Sequence, residues 1–232
     1  MDGFFKMKHI SSDYRREARR ICDLHVDRLA IIYLVYMIIM VVVSIIDSLT
    51  GTTQSIGDFE YKTTWFNGVF SLICGGPFAF SFAYIARNIY HGYGLEPKIE
   101  NLFDGFKDFS KAFILNLLQT IYVTLWSLLF VIPGIVKGIA YSMSCFIAID
   151  NKEMTANECI RESQRIMNGH KMEFFSLMLS YIGWLILCAL TLGILSLWVV
   201  PRIQEASYLF YLDITGKGLE SEQTPEVYEI LE

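Results

Sequence analysis

Four charged residues lie inside long apolar stretches of the chain, where charge is costly and usually has a role. They are Asp47, Lys137, Arg202 and Glu205. Arg202 and Glu205 are three residues apart, so on a helix they can meet on one face. Two interpretations stay open. The pair could neutralise itself and fix helix packing, or Arg202 could form an anion or lipid-headgroup site with Gln204, Glu205 and Lys137, the last as a second cation.

A second set of interruptions consists of prolines, each followed seven or eight residues later by a tyrosine. The pairs are Pro77 with Tyr84, Pro133 with Tyr141, and Pro201 with Tyr208. Proline removes a backbone donor, and in lipid the freed carbonyls need partners inside the protein or in a wet cavity. Three such breaks, with Gly134 beside the second, could ring a cavity, as in transporters. Alternatively, Pro133 simply opens a helix, where proline is tolerated.

Motifs for catalysis or metal binding are absent from the sequence. The four histidines form no zinc-protease spacing, and the chain has neither a phosphate-binding loop nor a nucleophile elbow. The five cysteines are scattered without a C-x-x-C pair, which favours buried apolar residues or reduced thiols. We therefore expect no enzymatic activity, no metal and no cofactor.

Six apolar segments position these residues. They are residues 29–49, 65–90, 112–132, 134–150, 172–190 and 192–213. At 1.5 Å per residue, most are long enough to cross a hydrocarbon layer of roughly 30 Å. Apolar residues make up 53% of the 232 residues, above the roughly 45–50% of soluble domains. The sequence therefore predicts an all-α, polytopic membrane bundle over residues 29–213, with six transmembrane helices arranged as three hairpins.

The basic residues predict the orientation of this bundle. Of the 19 Lys and Arg, seven precede the first span, and Lys62 alone falls in a loop on the opposite side. Because cytoplasmic loops are enriched in Lys and Arg, we expect both termini in the cytoplasm and the loop at residues 50–64 outside. No cleavage pattern follows the first apolar run, so we expect it to act as an anchor.

Polar segments with helical, amphipathic spacing precede each predicted hairpin. They are residues 1–28, about 99–110 and about 155–168, the last opened by a Thr155 and Glu158 capping box. Such helices are typical of the membrane interface, where they either pack under the bundle as connections between spans or sense lipid or a partner. The chain then consists of one unit repeated three times, followed by an acidic, solvated cytoplasmic tail at residues 214–232. The basic N-terminus suits an anionic leaflet better than nucleic acid.

A longer pattern runs through the C-terminal third. Its residues are Ile132-Pro133-Gly134-Ile135 with Lys137, Tyr141-Ser142, Asp150, Ser163, Met167, Gly169-His170-Lys171, Leu179-Ser180-Tyr181-Ile182-Gly183-Trp184, Gly193-Ile194, Leu197-Trp198-Val199 and Pro201. Here the chain resembles an uncharacterised bacterial integral-membrane family, domain of unknown function 975. That family has an aromatic residue where this chain has Arg202, so the resemblance implies no role for Arg202. The family is loosely similar to the membrane domain of glycerophosphodiester phosphodiesterases, which hints at lipid-related work. The resemblance implies a six-span protein of the bacterial cell membrane and supplies no activity.

Two functions from different classes remain open. The first is a non-enzymatic membrane protein that binds or moves a lipid or other amphiphile through a cavity ringed by proline-broken helices. The second is a scaffold, a regulator or an immunity-type protein that binds a partner protein in the membrane. Membrane lipids are the expected partners in either case and nucleic acid is not. The sequence does not predict an oligomeric state.

Overall fold

The computed structural model describes residues 11–56, 59–63, 65–91, 97–191 and 193–217. Its helices are α1 (Ser11–Asp23), α2 (Val26–Thr50), α3 (Phe66–Tyr90), α4 (Phe109–Leu129), α5 (Val131–Tyr141), α6 (Ser144–Asp150), α7 (Ala156–Ile166), α8 (Lys171–Ser180), α9 (Ile182–Leu190) and α10 (Ser196–Thr215). Two antiparallel strands, β1 (Thr52–Ile56) and β2 (Phe59–Thr63), form a hairpin in the loop between α2 and α3. The fold of the described residues is thus helical apart from this hairpin. Residues 1–10 of the basic segment and residues 218–232 of the acidic tail lie outside the described residues.

Five segments of the described chain are long and apolar enough to cross a membrane. They are Val26–Thr50, Phe66–Tyr90, Phe109–Leu129, Val131–Asp150 and Lys171–Leu190. The sixth predicted span corresponds to α10, which does not meet that criterion because Arg202, Glu205 and Asp213 all lie within it. Nine residues of α10 are buried. This helix therefore lies among other helices, with little of its surface available to lipid.

The first and last described helices pack side by side in opposite directions. The Tyr14 hydroxyl of α1 donates a hydrogen bond to the Asp213 carboxylate of α10, and the Tyr14 ring meets Phe210 edge-on at 5.5 Å. At the other end of the contact, Arg202 Nη2 lies 2.7 Å from Asp23 Oδ1. We call the end of the bundle that holds α1 and the C-terminal half of α10 the α1 end. Both ends of the described chain lie there.

Aromatic contacts join α2 and α3. The rings of Tyr33 and Phe82 stack at 4.6 Å, and Tyr36 packs edge-on to Phe82 at 5.1 Å. At the far end, the Asp47 carboxylate accepts hydrogen bonds from the backbone N–H groups of Phe66 and Asn67, at 2.9 and 3.2 Å. These are among the N–H groups that the first turn of a helix leaves without a partner. Asp47 therefore has a structural role at the start of α3.

The helix α3 continues through Pro77, and a short element packs beside this proline in place of the amphipathic helix expected at about 99–110. Residues Ile99–Phe106 form a 3₁₀ helix, and α4 begins at Phe109. The Ser81 hydroxyl donates to the Pro77 carbonyl at 3.1 Å and accepts from the Gly105 N–H at 2.9 Å. Because Gly105 has no side chain, its backbone can approach Ser81 this closely. The Ser81 hydroxyl thus joins α3 to the 3₁₀ helix.

The predicted capping box of the third amphipathic segment is confirmed. The Glu158 carboxylate accepts from the Thr155 N–H at 2.8 Å, and the Glu158 N–H donates to the Thr155 hydroxyl at 3.4 Å. The helix that follows, α7, is shorter than the expected 155–168. Its Ser163 hydroxyl donates to the Ala140 carbonyl at 2.8 Å, so α7 packs its inner face directly on α5.

Candidate functional site

The predicted pairing of Arg202 with Glu205 is wrong. Arg202 binds Asp23 at the end of α1, because the two positions of α10 face different neighbours. Glu205 is buried, and its Oε1 atom accepts no hydrogen bond from the described residues. It lies instead in a small pocket between α10, α2 and α3, with Cys22 of α1 at its edge. Arg202 therefore lies close to the N-terminal end of α2 rather than in the middle of a span.

Lys137 does not act as a second cation for Arg202. Its ammonium lies 5.0 Å from the centre of the Trp126 ring, so the two residues form a cation–π contact between α5 and α4. Lys137 is absent from the described residues that line the pocket containing Arg202. The structure thus separates two residues that the sequence analysis grouped.

A cavity of about 410 Å³, partly open to the surface, lies among the helices of the bundle, and we call it the central cavity. Residues of α2, α3, α4, α5, α6, α8 and α10 line it, so nearly every long element contributes a wall. Aromatic side chains form much of the surface, among them Tyr36, Phe78 and Phe82. Polar side chains of α4 and α10, Gln119 and Gln204, face the same space. The cavity therefore offers both apolar and hydrogen-bonding surface.

The polar groups of this cavity differ in their partners. Gln119 Nε2 donates to the Tyr141 carbonyl at 3.1 Å, and the Ser207 hydroxyl donates to the Ile203 carbonyl at 2.8 Å. Gln204 makes no hydrogen bond with any described residue, although it lines both the cavity and the small pocket that holds Glu205. Gln204 is thus one polar group of the cavity that stays available to a bound molecule.

Two of the three helices that contain these prolines border the cavity or the small pocket beside it. Pro77 directly precedes the cavity residue Phe78, and Pro201 lines the adjoining small pocket. Pro133 does not line the described part of either pocket. It lies in the first turn of α5, where a missing N–H costs nothing, and Gly134 packs against Ser127 of α4. Pro133 and Gly134 therefore form a tight α4–α5 connection, which was the alternative interpretation for Pro133.

The three tyrosines of the predicted repeat have different environments. Tyr141 lines the cavity. The Tyr84 hydroxyl donates to Asp108 at 2.8 Å, and the Tyr208 hydroxyl lies 3.1 Å from His91 Nε2. Burial, and then the nearby Arg87, lower the pKa of His91, which favours its neutral form. Tyr84 and Tyr208 therefore belong to polar contacts outside the cavity.

Comparison with known families gives one match. Residues 128–218 match a family model described as a protein of unknown function, DUF975. The resemblance to domain of unknown function 975 is confirmed. No curated protein and no solved structure matches the chain. The matched region includes α5 to α10, with Gln204 and Glu205, and leaves out α1, α2 and α3.

The DUF975 region contains a charge cluster that the sequence analysis missed. Asp150 at the end of α6 accepts from the Tyr211 hydroxyl at 2.8 Å and pairs with Lys217 at 2.5 Å. Arg87 of α3 approaches the second Asp150 oxygen at 3.5 Å. In the sequence, Asp150 stood out only as one residue of the family pattern. Its role in a charge cluster could not be predicted, because its partners lie far away in the sequence. The cluster ties the C-terminal end of α10 to α3 and α6.

A second pocket lies where α1 packs on the DUF975 region. It has a volume of about 290 Å³ and is lined by Arg15, Arg16 and Arg19 of α1 together with Arg202 of α10. Tyr181 and Trp184 lie on its opposite side. The α1 arginines belong to the predicted amphipathic segment at residues 1–28, but nothing in the sequence indicated that Arg202 would join them. We call this the arginine pocket.

The described residues include no group of three or more His, Cys, Asp or Glu side chains arranged to hold a metal ion. The five cysteines are free thiols. Burial is the main cause of the raised pKa of Cys22 in α1, so this thiol is protonated and unreactive at neutral pH. The pockets described above offer hydrogen-bonding groups, apolar surface and positive charge.

Proposed function

We propose that this protein is a non-enzymatic, multi-pass protein of the bacterial cell membrane that binds a lipid or other amphiphile in its central cavity. The observation that carries the proposal is the cavity of about 410 Å³ at the junction of seven helices. A tightly packed centre would have favoured the alternative, a scaffold whose bundle serves only to bind a partner protein.

The lining of the cavity supports an amphiphile over a purely polar or purely apolar ligand. Binding pockets for small molecules are mostly apolar, hold a few convergent polar groups, and measure roughly 300–1,000 Å³. The aromatic residues Phe78 and Phe82 provide the apolar wall. Gln204 provides an amide whose hydrogen bonds no described residue uses. An amphiphile could place its acyl chain against the aromatic rings and its polar group at Gln204, and would then use both the apolar wall and the amide.

The proposal includes a topology in which both ends of the chain are cytoplasmic. The contact between Tyr14 and Asp213 supports a topology in which the two ends of the described chain lie on one side of the membrane, after an even number of passages. The Ser196 hydroxyl lies 3.3 Å from the Met37 sulfur, halfway along α2. The hairpin that α8–α9 forms with α10 thus reaches about the middle of α2, where the chain turns back toward the α1 end. The arginines of α1 favour the cytoplasm for the α1 end.

Filling the cavity tests the proposal. A Cβ atom at Gly138, which lines the cavity, would have no atom within 4 Å, so G138L can project into the space without a clash. G183L is the matched control, because Gly183 on α9 also has open space around it but does not line the cavity. The probe is lysophosphatidylcholine, a single-chain amphiphile without net charge, added to the purified full chain and counted by native mass spectrometry.

We expect the wild-type chain and G183L to retain the probe, and G138L to lose most of it. A melting curve in detergent shows that each variant is folded. Equal retention by G138L and G183L would refute binding in the cavity, because the leucine side chain occupies the space that the acyl chain needs.

A further inference from the structure

We propose that the arginine pocket binds the phosphate group of an anionic phospholipid, as a site distinct from the central cavity. The pocket of about 290 Å³ lies between the charged face of α1 and the start of α9 and α10. Four of the side chains that line it are guanidinium groups, and none of the described lining residues is a carboxylate. Guanidinium groups bind phosphate oxygens through paired, charge-assisted hydrogen bonds.

The fold already holds two of the four arginines in position. Arg202 is held by Asp23, at 2.7 Å, and its side chain is mostly buried. Arg15 Nη1 donates to the Ser180 carbonyl at 3.0 Å, and its guanidinium lies 6.0 Å from the Tyr181 ring centre. The Nε atom of Arg15 is buried and has no hydrogen-bond partner in the described chain. A buried donor without a partner costs free energy, which a bound acceptor would recover.

The other two arginines are free to move onto a ligand. Arg16 and Arg19 are exposed and pair with no carboxylate among the residues that the structure describes. Four like charges around one pocket repel each other, and Asp23 offsets only one of them. An anion in the pocket would remove that repulsion. The arrangement therefore favours a ligand with at least one negative charge.

The opposite wall favours a lipid as the source of the phosphate. Trp184 and Val199 line that side. Beyond Trp184, the surface of α9 is apolar and exposed, with Ile182, Leu185 and Ile186 all about half exposed. A tryptophan between an apolar surface and a cluster of arginines is typical of the membrane interface. A phospholipid would place its phosphate among the arginines and its acyl chains along α9.

The test compares two double variants with the same change in charge. R16Q/R19Q removes the two free arginines of the pocket. R20Q/R161Q removes two exposed arginines, one on α1 and one on α7, that do not line it. Each full-length protein is reconstituted in nanodiscs with equal amounts of phosphatidylglycerol and phosphatidylcholine of identical acyl chains. Native mass spectrometry then measures the ratio of the two lipids that stay bound.

We expect the wild-type chain to retain phosphatidylglycerol preferentially. In R16Q/R19Q the ratio should fall by roughly tenfold or more, because the loss of even one charge-assisted hydrogen bond corresponds to about that factor. In R20Q/R161Q it should stay within about twofold, because exposed charges outside the pocket contribute little. An equal fall in both variants would overturn the proposal, since it would show a general effect of charge.

A second arm separates lipid from soluble phosphate. If inorganic phosphate alone raises the melting temperature of the wild-type chain as much as phosphatidylglycerol does, and R16Q/R19Q abolishes both effects, the assignment to a lipid is wrong. If only the lipid has this effect, the assignment stands. Retention of lysophosphatidylcholine by R16Q/R19Q reports on the central cavity separately, so the two proposals can fail independently.

Discussion

Two neighbouring glycines of α3 provide a sharp test of the helix packing that forms one wall of the cavity. A Cβ atom on Gly76 would lie 2.8 Å from the Ala112 carbonyl carbon of α4 and 2.9 Å from the Asn116 Cβ. A Cβ atom on Gly75 would lie 3.5 Å from its nearest neighbour, Asn116 Nδ2. Ordinary contact begins at 3.4 Å, so alanine at Gly76 must move α3 and α4 apart by roughly 0.6 Å or more. Alanine at Gly75 requires no movement.

The expected magnitudes follow from two opposing effects. Replacing a helical glycine by alanine stabilises a helix by about 0.5–1 kcal/mol. Overpacking a close contact costs about 1–3 kcal/mol. The two closest atoms to a Cβ on Gly76 are the carbonyl oxygen and carbon of Ala112, which belong to backbone and cannot turn away as a flexible side chain can. We therefore expect G76A to be less stable than the wild type by up to about 2 kcal/mol, and G75A to be as stable or slightly more so.

The assay is thermal unfolding of both variants in the same detergent, followed by helical circular dichroism. A difference of this size between the variants corresponds to a shift of several degrees in the melting temperature, at roughly 2–4 °C per kcal/mol for a chain of this length. The two substitutions add the same atoms to adjacent positions of one helix, so general effects of alanine cancel. Equal melting temperatures would refute the close contact of α3 with α4.

Three further predictions test the capping box, the depth of Arg202 and the topology. Hydrogen bonds from Thr155 lower the pKa of Glu158, so the Glu158 carboxylate stabilises the fold above the ordinary glutamate pKa and loses this effect as the pH falls through the lowered value. E158Q should therefore destabilise the chain at neutral pH and not in acid. The same loss of stability at every pH would contradict this prediction. A double-mutant cycle with D23N and R202Q should give a coupling below about 1 kcal/mol, because the Asp23 side chain is half exposed, and a much larger value would place the pair in a low-dielectric environment. In a cysteine-free background of intact cells, an impermeant thiol reagent should label a cysteine in the β1–β2 hairpin and should not label E153C.

Apolar patterning predicted the long apolar helices better than it predicted their ends. The first predicted span, 29–49, lies inside α2, whereas α4 begins at Phe109, before the predicted start at residue 112. Lys111 directly precedes the predicted apolar segment, and its charge excluded it from that segment. Its ammonium donates to the carbonyls of Ala148 and Asn151, at 3.0 and 2.7 Å, at the C-terminal end of α6. A charge with such partners can belong to a helix, and no local pattern shows partners about forty residues away.

The candidate sites depended even more on distant contacts. Tyr141 was expected at a cavity and lies in its lining, whereas Gln204 was expected in a headgroup site with Arg202 and Lys137 and lies at the cavity instead. The partner of Arg202 was predicted three residues away and lies 179 residues away, at Asp23. Helical spacing shows which residues share a face, but it does not show which element packs against that face. The arginine pocket needs both α1 and α10, so no single segment indicated it.

The same reasoning explains why α10 fails as an independent membrane span although it returns the chain to its starting side. Each of its charges lies against protein. Arg202 faces Asp23, Asp213 accepts a hydrogen bond from Tyr14, and Glu205 is enclosed by α2 and α3. A charged residue that faces other helices avoids most of the cost of contact with lipid. Hydropathy measures compatibility with lipid, so it detects the outer helices and underestimates a helix that they surround. In this protein the surrounded helix, α10, lines the central cavity, the Glu205 pocket and the arginine pocket. Both proposed binding sites therefore depend on the segment whose hydropathy indicates a membrane span least.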